Sequence, residues 1–154
     1  MSSMTVSDTD PVSSFKLMKE ETIAAPIEIV FEAVLDEVGP ECQMMDGKPF
    51  PLKLEAWPGG RWFRDLGNNT GHLWGHVQVI KPPNLLEIIG PMPMSYPAIN
   101  HIQYRLTAQG SGTVLKFTHQ AMGAITRDHR EGMPKGWDFW LGRIRQLAES
   151  KTRK

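Results

Sequence analysis

Histidines within strand-like segments are the first candidates for chemistry in this sequence. His72 and His76 alternate with Trp74, so a regular strand places all three side chains on one face. Imidazoles on one face could begin a metal site, but zinc needs further ligands, and no cysteine or carboxylate is spaced to supply them. We therefore predict no metal site. We expect the two histidines to face outward, because the opposite face is more apolar and suits the interior: Leu73, Gly75, Val77 and Val79.

His119 is the histidine best placed to reach the interior. It continues the alternation of Leu115 and Phe117, so its imidazole should point inward near the end of a strand. There it could contact a ligand or transfer a proton, or it could be a neutral core histidine satisfied by a hydrogen bond. We expect His101 to face solvent on its own strand and His129 to lie in a polar loop.

No catalytic motif accompanies these histidines. The sequence has no nucleophile elbow, phosphate loop, paired-carboxylate motif or HExxH, and Cys42 has no evident activating neighbour. Glu55, Arg64 and Asp65 lie on strand-like segments, where ion pairs on an exposed face account for each of them. We predict a binding protein rather than an enzyme, with no catalytic residue and no cofactor.

The composition excludes other classes of protein. The 154 residues include 17 Lys and Arg against 17 Asp and Glu, with 40% hydrophobic residues. A chain of this size forms one domain, and its zero net charge lacks the basic excess that nucleic-acid binding requires. No stretch of about 18 apolar residues could span a membrane, and the first residues do not have the pattern of a signal peptide. We expect a cytoplasmic protein, either a monomer or a homodimer.

The spacing of proline, glycine and apolar residues predicts an α+β domain. A strand over 15–22 leads into a helix over 26–38 that ends at Gly39-Pro40, and the segment 41–51 is irregular. Six strand-like segments follow, and the chain closes with an amphipathic helix suited to cover an antiparallel sheet. The strands are 52–57, 61–66, 71–80, 85–89, 98–108 and 113–120, and the helical stripe is Trp137, Trp140, Leu141, Ile144, Leu147 and Ala148.

Short motifs occur in a recognisable order along residues 15–149. They are Ala25-Pro26 with Val30-Phe31-Glu32-Ala33, Pro58-Gly59-Gly60-Arg61-Trp62, Gly75-His76-Val77 with Lys81-Pro82-Pro83, and Gly136-Trp137 with Leu141. This series resembles the START-like, or helix-grip, superfamily, also called SRPBCC, which includes the birch-pollen allergen. The most similar branch shares a domain with the activator of the heat-shock-protein ATPase. Each motif alone is weak, so the resemblance depends on the series.

The resemblance implies a helix-grip fold, in which a curved antiparallel β-sheet wraps around a long C-terminal α-helix, with a short N-terminal helical segment. A single START-like domain over 14–150 would lie between a flexible N-terminus over 1–13 and a basic tail over 151–154. The resemblance also implies a cavity between sheet and helix. The candidate cavity-lining residues are Phe31, Trp62, Trp74, Tyr96, Tyr104, Phe117, His119, Trp137, Trp140, Leu141 and Ile144.

The size of that cavity decides the function. Many members bind a small hydrophobic or amphipathic molecule such as a lipid, which requires roughly 300 Å³ or more, whereas interdigitating indoles would leave a solid domain. Methionines and the proline-rich loop 91–97 would surround the cavity mouth: Met44, Met45, Met92, Met94, Met122 and Met133. We predict ligand binding. The alternatives are a cochaperone-type module that binds a chaperone, and a cyclase-like or hydrolase enzyme that uses His119 or the His72/His76 pair.

Overall fold

Seven strands and two helices form the fold in a computed structural model that describes residues 3–7 and 11–153. The predicted N-terminal and C-terminal tails therefore fall partly outside the described residues. The first strand and the first helix are followed by six strands and a long helix, the order predicted from the sequence. The elements are β1 (Ser13–Ile23), α1 (Ile27–Val38), β2 (Lys53–Leu54), β3 (Arg61–Gly67), β4 (Thr70–Lys81), β5 (Leu85–Gly90), β6 (Ala98–Gln109), β7 (Gly112–Gly123) and α2 (Arg127–Thr152).

The strands form one antiparallel sheet in the order β1-β7-β6-β5-β4-β3-β2. Strands β2 to β7 form a meander, and β1 completes the sheet by pairing with β7 along its whole length. Both helices pack on the same apolar face, so the core lies between the sheet and the helices. The predicted α+β helix-grip fold is confirmed.

Helix α1 presents one apolar stripe to this core. Val30, Phe31 and Val34 recur at helical spacing and are buried. The helix ends at Gly39, and the Trp62 indole nitrogen donates a hydrogen bond of 2.7 Å to the carbonyl oxygen of Val38. This bond satisfies one of the carbonyl groups that a helix C-terminus leaves unpaired and fixes the end of α1 against β3.

Helix α2 begins earlier than the motif at Gly136-Trp137 suggests. Thr126 caps it by accepting a hydrogen bond from the backbone N–H of His129, so placing His129 in a loop was wrong. Pro134 lies inside the helix although it removes one backbone hydrogen bond. The neighbouring side chains of Met133 and Trp137 are buried against the core, and this tertiary packing offsets the low helix propensity of proline.

A β-bulge in β4 corrects the predicted strand faces. Trp62 pairs with Gly75 and Phe63 pairs with Leu73, so Trp74 is the extra residue. Trp74 therefore faces the core with Gly75, whereas Leu73 is 42% exposed. The register puts His72 on the side of Trp74 and leaves His76 exposed on the opposite face, so the two imidazoles do not share a face. Strict alternation failed here because the bulge shifts it by one residue.

Candidate functional site

A small cavity lies between the sheet, the end of α1 and the middle of α2. Its volume is about 40 Å³, room for about one water molecule and well below the roughly 300 Å³ of a ready-made ligand pocket. The indoles of four tryptophans occupy most of the space, yet the interior is not solid. The lining residues are Glu37, Val38, Cys42, Leu52, Trp62, Trp74, Met92, Pro93, Tyr104, Met133, Trp137 and Trp140.

Hydrogen bonds fix three of the four indoles in this wall. Trp62 donates to the end of α1, Trp137 donates to the His119 Nδ1 atom at 2.9 Å, and Trp140 donates to the Gln43 carbonyl oxygen at 2.9 Å. The last bond also ties the irregular segment after α1 to α2. Trp74, the fourth indole, is only half-buried and lies on the bulge.

Two buried polar groups on this cavity have no partner among the described residues. The Glu37 Oε1 atom and the Tyr104 hydroxyl are buried without a hydrogen bond, although Glu37 is only 3% exposed and Tyr104 is fully buried. An unsatisfied buried polar group typically costs about 1–3 kcal/mol. Such groups need a specific reason in a native fold, and a ligand that supplies the missing partner is one such reason.

Burial keeps these groups protonated at neutral pH. It raises the pKa of the Glu37 carboxyl to about 8, while the Arg143 guanidinium acts in the opposite direction. Burial, with smaller effects from Glu37 and Cys42, raises the pKa of the Tyr104 phenol well above its usual value. The pKa of the Cys42 thiol is raised to about 12, chiefly by burial, so this thiol is a poor nucleophile.

A second polar cluster lies behind Trp137 and is fully paired. The His119 Nε2 atom is 2.7 Å from the Asn100 side-chain oxygen, and its Nδ1 accepts from Trp137. The Asn100 amide nitrogen donates to the carbonyl oxygens of Gly90 and Pro91, which orients that amide so that His119 carries its proton on Nε2. Burial lowers the pKa of His119 to about 4. His119 is therefore neutral and hydrogen-bonded within the core.

The structure distributes the eleven predicted cavity residues over three locations. Five of them line the cavity: Trp62, Trp74, Tyr104, Trp137 and Trp140. Five are buried elsewhere in the core: Phe31, Phe117, His119, Leu141 and Ile144. Tyr96 is half-buried, and its hydroxyl lies 2.6 Å from the Nδ1 atom of His129. Ligand contact by any of these residues stays a prediction.

The sequence analysis missed Glu37 and Asn100. Glu37 follows Val30 by seven residues and Val34 by three, so it belongs to the buried stripe of α1. Asn100 shares the strand face of Ile102, Tyr104 and Leu106, which is buried. In both cases a polar residue on an apolar face was the available signal.

The other charged candidates lie on the surface. Glu55 pairs with Arg61 at 2.8 Å, and Asp65 pairs with Lys53 at 2.7 Å, as predicted. Arg64 forms no such pair with another described residue: its guanidinium donates to the Pro51 carbonyl oxygen and stacks on the Phe50 ring. A wide surface depression of about 620 Å³ runs along this hairpin, but much of its charge is already neutralised internally.

The methionines do not all surround the cavity. Met92 and Met133 line it, and Met94 is buried, with its sulfur 3.6 Å from the Asn100 amide nitrogen. Met44, Met45 and Met122 are roughly half exposed. Only part of the predicted methionine rim is therefore present.

The described residues contain neither a cluster of metal-ligating side chains nor a membrane-spanning helix. Over residues 3–7 and 11–153, no three His, Cys, Asp or Glu side chains converge as a metal site would require. Neither helix in that part of the chain has both the length and the apolar character needed to cross a bilayer.

The sheet wrapped around α2 defines a protein of the START-like class, and comparison with known proteins narrows the class to a family. Residues 24–149 match the family described as Activator of Hsp90 ATPase homolog 1-like protein. The chain belongs to this family. No curated protein matches the chain by sequence.

Several solved structures share the fold at low sequence identity. An uncharacterized protein from Rhizobium leguminosarum has a TM-score of 0.69 and 18% identity, over 91% of this chain and 97% of that one. SA2116 of Staphylococcus aureus, a protein of unknown function, has a TM-score of 0.68 and 14% identity, over 93% of this chain and 98% of that one. CalU16 of Micromonospora echinospora has a TM-score of 0.62 and 18% identity, over 93% and 87%. At such identities the likeness concerns the fold alone.

Proposed function

We propose that this protein binds a small, mostly apolar molecule in the cavity between the sheet and α2. The observation that carries the proposal is the pairing of apolar walls with two unpartnered polar groups, Glu37 and Tyr104. Apolar walls supply affinity through desolvation, and a few convergent polar groups supply orientation.

Ligand binding requires the cavity to expand beyond 40 Å³. Met92 and Met133 have flexible, unbranched side chains that adapt to different shapes, and Trp74 is half-buried on a bulge. Displacement of these three side chains would enlarge the cavity while the hydrogen-bonded indoles hold the opposite wall. The ligand therefore enters on the side of Trp74 and the loop that contains Met92.

Thermal unfolding in the presence of lipids, polyketides and aromatic compounds tests this proposal. A ligand at one hundred times its Kd stabilises a protein by about 2.7 kcal/mol, which corresponds to several degrees in Tm for a domain of this size. Cys42→Met partly fills the cavity, so it should reduce the shift. Val114→Met lies on the outer sheet face and should leave the shift unchanged. If no compound raises the Tm of the wild-type protein, the proposal fails.

Family membership also fits an interaction with a chaperone. Ile99 and Met122 face each other across β6 and β7 on the outer sheet face and are about half exposed. This patch is small, and single exposed apolar side chains are common on protein surfaces. A chaperone role predicts that Ile99→Glu weakens retention of a purified Hsp90-class chaperone without altering the ligand-induced thermal shift. If the wild-type protein and the Ile99→Glu variant retain the chaperone equally well, this surface is excluded as the chaperone-binding site.

A further inference from the structure

Glu37 and Tyr104 reach the cavity from two different elements. Glu37 lies near the end of α1 and Tyr104 near the middle of β6, and both line the same 40 Å³. They are not hydrogen-bonded to each other, yet the charge of Glu37 affects the phenol of Tyr104. A ligand in this cavity could therefore approach both groups.

Glu37 and Tyr104 both carry a proton near pH 7, so the two side chains can act as hydrogen-bond donors. The titratable or charged groups that face Glu37 are Arg143 from α2, Cys42 from the segment after α1, and Tyr104 from β6. The pKa of Glu37 is about 8, so near pH 7 the carboxyl retains its proton and can donate it. An apolar site can keep a carboxylic acid neutral in this way so that it acts as a donor beside a tyrosine.

We propose that Glu37 and Tyr104 together bind the carbonyl oxygen of an aromatic or conjugated ketone or aldehyde. A carbonyl oxygen has two lone pairs and no hydrogen, so it can accept from both donors at once. The aromatic preference follows from the walls, where Trp62 and Trp74 stack edge to face, as do Trp137 and Trp140. Such ring edges and faces suit a flat ligand. The assignment rests on the proposed function, since it concerns the same cavity.

Acetophenone and α-methylstyrene form a matched pair of probes, because they differ only in C=O against C=CH2. Their dissociation constants are measured at pH 6.5 by NMR titration of the tryptophan Nε1–H signals. Glu37→Met and Tyr104→Phe should each weaken the binding of acetophenone about tenfold, the value of one buried hydrogen bond. The affinity for α-methylstyrene should stay the same or increase. Glu37→Gln keeps a neutral donor and should retain most of the acetophenone affinity.

The pH profile adds a readout that a merely structural role would not produce. Acetophenone should bind several-fold more weakly as the pH rises from 6.5 to 9, because ionised Glu37 repels the carbonyl oxygen; α-methylstyrene should not respond. Tyr96 lies outside the cavity, so the Tyr96→Phe variant serves as the control. If each substitution changes both probes equally, the carbonyl assignment is wrong and the proposed cavity remains. If neither probe binds to the wild-type protein, the carbonyl assignment fails, and the thermal-unfolding panel decides the proposed function separately.

Discussion

Two polar clusters meet at Trp137, and they differ in how fully their hydrogen bonds are made. In the His119 cluster each side chain has its partners, from Asn100 through His119 to the Trp137 indole. In the cavity, Glu37 and Tyr104 are equally deep but have no partner among the described residues. A paired cluster stabilises one structure, whereas an unpaired one retains the capacity to bind something else. The contrast separates a structural role from a binding role better than burial does.

Removing the paired cluster should have the largest effect. His119→Ala deletes a fully buried side chain and leaves the Trp137 N–H and the Asn100 oxygen unpaired, so we expect a loss of about 3–5 kcal/mol in the free energy of unfolding. Urea denaturation measures it. His101→Ala, which removes a half-exposed imidazole paired with Glu87, should cost less than about 1 kcal/mol. Similar losses for the two variants would contradict a structural role for the cluster.

Removing the unpaired carboxyl should stabilise the protein. The folded-state pKa of Glu37 is raised from 4.5 to about 8, so the folded state holds more protons than the unfolded state between these values, and stability falls as pH rises across that window. Glu37→Met should gain about 3–4 kcal/mol at pH 8.5 and less at pH 5.5. Glu32→Met, on the exposed face of α1, should change stability by less than about 0.5 kcal/mol. A destabilising Glu37→Met would mean that the carboxyl has a partner.

The two clusters should respond to pH in opposite directions. The folded-state pKa of His119 is lowered from 6.5 to about 4, so its contribution is complete above pH 6.5 and is lost as pH falls toward 4. In the wild-type protein, the stability contributed by Glu37 rises as the pH falls, and this gain masks part of the loss from His119. In the Glu37→Met variant, stability should fall by about 2–3 kcal/mol between pH 6.5 and 4. Denaturation curves across this range that stay flat would contradict the lowered pKa.

The smallest expected difference in stability is between substitutions at two tyrosines. Tyr104→Phe removes a hydroxyl without a partner, so stability should be unchanged or rise by up to about 1 kcal/mol. Tyr96→Phe removes a hydroxyl that contacts His129 and should cost about 1 kcal/mol. Thermal unfolding of the two variants in parallel checks the order. The reverse order would imply that Tyr104, and not Tyr96, is hydrogen-bonded in the folded protein.

The sequence by itself determined the order of the elements, the antiparallel sheet and the apolar stripe of α2, because periodicity and turn residues are local properties that survive folding. It also placed His119 on the inner face. Only the tertiary structure decided that the neighbours Trp74 and Gly75 both face the core, since a bulge depends on how β3 pairs with β4. Likewise, the depth of Glu37 and the closure of the cavity depend on how the indoles and helices pack together, and no local pattern specifies that packing.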